Sequence, residues 1–99
     1  MNAFEFSWKY KEFEIKSTKS INTNKPPYVE LIMWDEYNGK PSCFTLAIYN
    51  WDSEGGEWHF VGERPFKYIA DIDISTIWKQ MWLASEMYND WYMKEYYND

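Results

Sequence analysis

Phe4, Phe6, Trp8 and Tyr10 recur with period two, separated by Glu5, Ser7 and Lys9, and the alternation resumes at Phe13 and Ile15 after Lys11 and Glu12. Alternation places every second side chain on one face of a strand. The N-terminal stretch therefore predicts strands over about 3–9 and 12–16 with a tight turn between them. Residues 28–34 and 43–51 are β-branched and aromatic runs and predict two more strands. Residues 35–40 join them, and the Asn38-Gly39 pair suits a turn that needs positive φ. A fifth strand, about 57–61, follows a Gly55-Gly56 turn and is stopped by Gly62 and Pro65.

The period then changes. Ser75 is a helix N-cap candidate, and Asp71 and Asp73 before it place negative charge at the positive end of a helix predicted over about 75–97, with no Gly or Pro inside. On a helical wheel Ile77, Trp78, Met81, Ala84, Ser85, Tyr88, Trp91, Tyr92 and Tyr96 share one broad face, and Lys79, Glu86, Asp90 and Lys94 lie opposite. The expected fold is α+β: an antiparallel meander of about five strands, with one long C-terminal helix packed on one face, all in a single domain spanning 1–99. Residues 17–27, rich in Ser, Thr, Asn and Lys, read as a loop.

One helix covers one sheet face. Simple alternation over residues 43–51 puts Phe44, Leu46 and Ile48 on one side and Thr45, Ala47, Tyr49 and Trp51 on the other. The uncovered side then keeps Tyr and Trp exposed unless another chain covers it. Aromatic content sharpens the point, because Trp 7, Tyr 9 and Phe 6 make up 22% of the 99 residues. That excludes a disordered chain and is more aromatic surface than one small core hides. Trp34, Tyr37, Tyr49, Trp51 and Trp58 fall near strand ends and turns, where they suit interface anchors. Leu83 and Met87, four apart within the polar arc of the helix, are candidates for a contact with another copy of the chain.

Sixteen acids against ten Lys and Arg give a net charge of -6, which argues against nucleic acid or an anionic membrane as a direct ligand. The charge is lopsided: residues 1–27 carry five lysines against three glutamates, and the acids concentrate beyond them. A lone Cys43 allows no internal disulfide, no secretory leader is expected, and the longest apolar runs are four residues, too short to span a bilayer. The expected compartment is a reducing cytoplasm.

Candidate chemistry is sparse. His59 is the only histidine, and Cys43 at the start of the preceding strand could approach it as a nucleophile to a base, but no Gly-rich elbow or oxyanion hole accompanies the pair. Asp71 with Asp73, and Asp52 and Glu54 with Glu57, are acid groups without the spacing of a cation loop. No CxxC, HExxH, phosphate loop or dinucleotide fingerprint occurs, so neither an enzyme, a cofactor nor a metal is expected. Arg64, the only arginine, precedes Pro65 in backbone held extended, as an internal ion-pair partner or an interface anchor.

At Cys43-Phe44-Thr45-Leu46-Ala47 and again at Phe60-Val61-Gly62-Glu63-Arg64-Pro65-Phe66, the sequence resembles small proteins of Gram-positive phages and prophages. The resemblance covers the middle third and brings no catalytic residues. It implies a context in which short acidic proteins inhibit host defence, anti-CRISPR proteins among them, by occupying a partner's surface or mimicking DNA. The expected function is a non-enzymatic, acidic and aromatic stoichiometric inhibitor of a host protein, a nucleic-acid-handling nuclease such as a CRISPR nuclease. Asp52, Glu54, Glu57 and Glu63 beside Trp51 and Trp58, with Glu86, Asp90, Glu95 and Asp99 on the helix, are the expected partner-binding residues. The alternative is a self-assembling accessory or structural protein that dimerises through Leu83 and Met87.

Overall fold

Two short turns set the strand ends. The computed structural model describes residues 4–18, 27–52, 55–61 and 74–96. Strands β1 (Ser7–Tyr10), β2 (Phe13–Ser17), β3 (Val29–Tyr37), β4 (Lys40–Asp52) and β5 (Gly55–Phe60) form one antiparallel sheet in chain order, and helix α1 (Ile74–Tyr96) packs on it. The α+β meander with one C-terminal helix is therefore the fold. Lys11, at φ 51°, turns β1 into β2, and Asn38 and Gly39, at φ 53° and 74°, supply the two left-handed residues of a type I′ hairpin. Because two residues suffice, β3 runs on to Tyr37 and β4 starts at Lys40, where the sequence suggested a six-residue connection. Residues 4–6 precede β1 instead of belonging to it, although Phe6 exchanges hydrogen bonds with Ser17: its N–H donates to Oγ and its carbonyl accepts from the Ser17 N–H, both at 2.9 Å. Residue 3, the loop residues 19–26, Asp71, Asp73 and residue 97 lie outside the described residues.

A β-bulge decides which side chains the helix covers. Leu31 is opposite Ala47, yet Ile32 is opposite Thr45, so Leu46 is an extra residue in β4. Strict alternation fails there. Phe44, opposite Met33, shares the helix-facing side with Ala47 and Tyr49, while Thr45 and Ile48, opposite Ile32 and Glu30, take the open side. The expectation that Phe44, Leu46 and Ile48 share a face is thus corrected, and so is an exposed Tyr49: the aromatic face is the covered one, and Tyr49 is buried.

Phe13, Ile15, Val29, Leu31, Met33, Leu46, Ala47 and Tyr49 of the sheet meet Ile77, Met81, Ala84 and Tyr88 of α1 in one core, closed by Phe4. The predicted helix face is the packed one from Ile77 to Tyr92, with two adjustments, and the Tyr96 side chain lies outside the described residues. Trp78 stands at its edge, exposed but with its ring 5.9 Å from Phe60, and Trp91 and Tyr92 are half-buried. Three polar anchors cross from helix to sheet or loop: the Tyr88 hydroxyl donates to the Pro27 carbonyl at 2.7 Å, the Tyr49 hydroxyl to Asn89 Oδ1 at 2.7 Å, and the Trp58 indole to the Met81 carbonyl at 3.2 Å. Each is part-buried and contributes about 1 kcal/mol net.

Gly56 makes room for this arrangement, since a Cβ built on it would overlap the Tyr49 phenol. Gly56→Ala is expected to destabilise the fold by about 1–3 kcal/mol, read as a fall in Tm of about 4–8 °C per kcal/mol; an unchanged Tm would contradict the close approach. Burial pushes the Tyr49 phenol above its ordinary 10.0. A raised folded pKa favours the protonated form, so this contribution to stability is full below pH 10.0 and is lost as pH rises through the folded value. Denaturation midpoints followed into alkali should fall above that pH in the wild type and fall less steeply in Tyr49→Phe.

Candidate functional site

The sheet narrows to a two-stranded arm at one end. β2 pairs with β3 only as far as Met33, and β5 pairs with β4 only from Ala47 onward. Among the described residues, 34–37 and 40–43 therefore have only each other as strand partners. Four residues at about 3.3 Å each carry the arm roughly 13 Å beyond the last three-stranded level. Every residue from 34 to 41 is exposed, Tyr37 to 66%, and Trp34 and Phe44 keep more than two-fifths of their surface in solvent.

The arm's edges and faces differ in what they offer. Free strand edges invite another strand, but Pro41 has no N–H to give, and the Glu36 N–H is already taken by Asp35 Oδ1 at 2.7 Å. Both edges are blunted. The faces carry Trp34 with Cys43 on one side and Phe44 with Met33 on the other, and an open hollow of about 400 Å³ is lined by Trp34, Asp35, Glu36, Gly39 and Pro41. At its root the arm is pinned to β2 by two bonds. The Trp34 N–H donates to the Glu12 carbonyl at 2.7 Å, and its indole donates to Glu14 Oε1 at 3.1 Å. Glu14 is nearly buried, and its other oxygen is 3.8 Å from Lys9 Nζ, so the carboxylate is held on both sides.

Among the described residues, the acids singled out in the sequence do not form one surface. Trp58 faces the helix, so Glu57 and His59, its neighbours in β5, face the opposite side of the sheet. Glu86, Asp90 and Glu95 lie on α1, across the molecule from Glu57, and are interleaved with Lys79 and Lys94. Trp51 and Asp52 close β4, with their side chains outside the described residues, as are Glu54, Glu63, Arg64 and Asp99. Trp58 is not free to anchor a partner, because its indole N–H is used by the Met81 carbonyl and its ring packs 5.5 Å from Tyr49. The structure does bring Asp90, Glu95 and Met87 together with Glu5 and Trp91 around an open hollow of about 480 Å³ beside the N-terminal segment.

Leu83 and Met87 are exposed on the back of α1, as their polar neighbours suggested. Trp82, on neither face of the predicted wheel, is the most exposed of the large apolar residues there at 68%, and its indole donates to Glu86 Oε1 at 2.9 Å. The signal for it was the i, i+4 spacing of Trp82 and Glu86. The arm was legible only through its turn, because a two-residue Asn-Gly hairpin requires strands that reach it from both sides.

Catalysis by Cys43 and His59 has no geometric basis. His59 is opposite Ile48 and Cys43 is opposite Trp34, and five residues of β4, about 17 Å, separate the two positions. Among the described residues no group of three or more His, Cys, Asp or Glu could hold a metal ion, and no helix is long and apolar enough to cross a membrane.

The root of the arm can be tested by a double-mutant cycle. Trp34→Phe keeps a ring but removes the donor to Glu14, and should cost about 1–2 kcal/mol. With Glu14→Gln, the cycle should show a coupling of at least about 0.5 kcal/mol in denaturant unfolding, and additivity would mean that the bond does not pin the arm. Compared with known proteins, the chain matches no family model, no curated protein and no solved structure.

Proposed function

We propose that this chain is a non-enzymatic binding protein of the phage inhibitor type, which presents the β3–β4 arm to a host defence protein such as a CRISPR nuclease and blocks it stoichiometrically. The observation that carries the reading is the arm itself: a ribbon with blunted edges whose faces keep Trp34, Tyr37 and Phe44 in solvent. Strand addition is disfavoured there and side-chain recognition is favoured, and Trp and Tyr are the residues that most often dominate such recognition. The resemblance to phage proteins at residues 43–47 falls on the root of the same arm.

Charge has a second part in the proposal. A net charge of -6 speeds approach to a cationic surface of the kind that handles nucleic-acid phosphates, and Asp35 and Glu36 bring acid onto the arm itself. The acids of β5 and α1 point to opposite sides, so this reading gives them long-range steering and gives the aromatic arm the affinity.

Titration of a purified CRISPR nuclease from a Gram-positive host, with cleavage as the readout, tests the proposal. One equivalent of the protein should inhibit. Tyr37→Ala with Trp34→Ala should weaken inhibition by about 30-fold or more, the mark of an interface hot spot. Absence of inhibition, or an arm variant as potent as the wild type, would overturn it.

A further inference from the structure

The back of α1 carries an ordered charge pattern that the arm does not explain. Lys79, Leu83, Glu86, Asp90 and Lys94 follow one another at three- and four-residue intervals, so they form a single outward stripe along a helix about 34 Å long. Met87 borders it on the side of the N-terminal segment, and Trp82 and Met93 on the side of β5; these three and Leu83 are exposed.

The charges on this stripe are not balanced within the helix. Glu86 and Asp90, four apart, repel each other, which costs about 0.2–0.5 kcal/mol in a helix. Lys94 stands one turn after Asp90, but Lys79 has only Ser75, Thr76, Trp82 and Leu83 within a turn of it, and Glu86 lies two turns on, about 10 Å away. A second helix can satisfy both ends, and the order of signs narrows how. Parallel pairing places every charge against its own copy. Antiparallel pairing centred between Glu86 and Met87 sets Lys79 against Lys94. Antiparallel pairing about a two-fold level with Ala84 and Ser85 sets Lys79 against the partner's Asp90 at both ends of the contact. The same register lays Leu83 beside the partner's Met87 twice over, and Trp82 beside the partner's Glu86.

We infer that the back of α1 is a self-recognition surface, on which a second copy of this chain docks antiparallel about that two-fold, with Leu83 and Met87 at its centre and Lys79 paired with Asp90 at its ends. Such an interface is isologous and closes on itself. A single helix pair buries less than the roughly 1,600 Å² of a standard complex, so the dimer is weak, with a Kd on the order of 10–100 μM. The arm lies on the sheet and not on this face, so dimerisation would display two arms and leave both open. The inference is independent of what the arm binds.

The test is molar mass by light scattering and sedimentation from about 1 μM to about 500 μM, a range that brackets the expected Kd. The wild type should pass from one chain to two. Lys79→Asp and Asp90→Lys should each weaken association at least about 10-fold, while the two together should return it to within about threefold of the wild type, because the pair is restored with its signs exchanged. Leu83→Asp should leave a folded monomer, as judged by circular dichroism. A wild type that remains one chain at the highest concentration, or a double variant that dimerises no better than the singles, would overturn the inference.

Discussion

Tyr88 is fully buried, with its hydroxyl on the Pro27 carbonyl at 2.7 Å and its ring edge-on to Phe4 at 5.3 Å and to Tyr49 at 5.5 Å. Helix, N-terminal segment, β4 and the residue pair that leads into β3 all meet on this one side chain. Trp91 and Tyr92 extend the cluster along the helix, with ring centroids 5.7 and 6.1 Å from that of Tyr88. Aromatic pairs in these geometries add about 0.5–1.5 kcal/mol each beyond the surface they bury. The helix is held to one face of the sheet along Ile77, Met81, Ala84 and Tyr88, most densely at this cluster, and the remainder of the surface is what that packed face leaves over.

The open face of the sheet needs no second layer. Lys9 is paired with Glu14, Lys16 lies opposite Glu30, and Glu30 Oε1 accepts from Thr45 at 3.5 Å, so this face is a lattice of cross-strand polar pairs. Ile32, within it, is only 2% exposed between Glu14 and Thr45 in the neighbouring strands. Large apolar side chains in solvent are concentrated instead on the arm and on the back of the helix. An antiparallel sheet with one solvated face is ordinary; what is particular to this chain is where the surplus aromatics went. They do not form the uncovered sheet face that strand alternation implied.

The sequence carried the architecture because its signals were local. Period-two aromatics in β1, the Asn38-Gly39 turn and the uninterrupted helix each follow from neighbouring residues, and each is present in the structure. The faces of β4 could not be read in the same way. Leu46 is an extra residue only in relation to β3, and a bulge created by pairing leaves no trace in the bulged strand alone. Tyr49 and Trp58 therefore changed from expected surface anchors to core and core-edge residues, and Ile48 changed from the covered side to the open one. The arm's exposure was not legible for a related reason: it arises from β2 and β5 ending short of the arm, a property of the neighbouring strands. Leu83 and Met87 were legible because a helical wheel needs no partner to define its outside.

One helix dries one sheet face, burying Tyr49 and Tyr88 and leaving Tyr37 and Trp82 in water. Photochemically induced dynamic nuclear polarisation, which reaches only solvent-accessible Tyr and Trp rings, reads this residue by residue on the intact chain. Strong signals are expected from Tyr37 and, in dilute solution, from Trp82, with none from Tyr49 or Tyr88. A polarised Tyr49 or Tyr88, or a silent Tyr37 in the isolated protein, would overturn this arrangement.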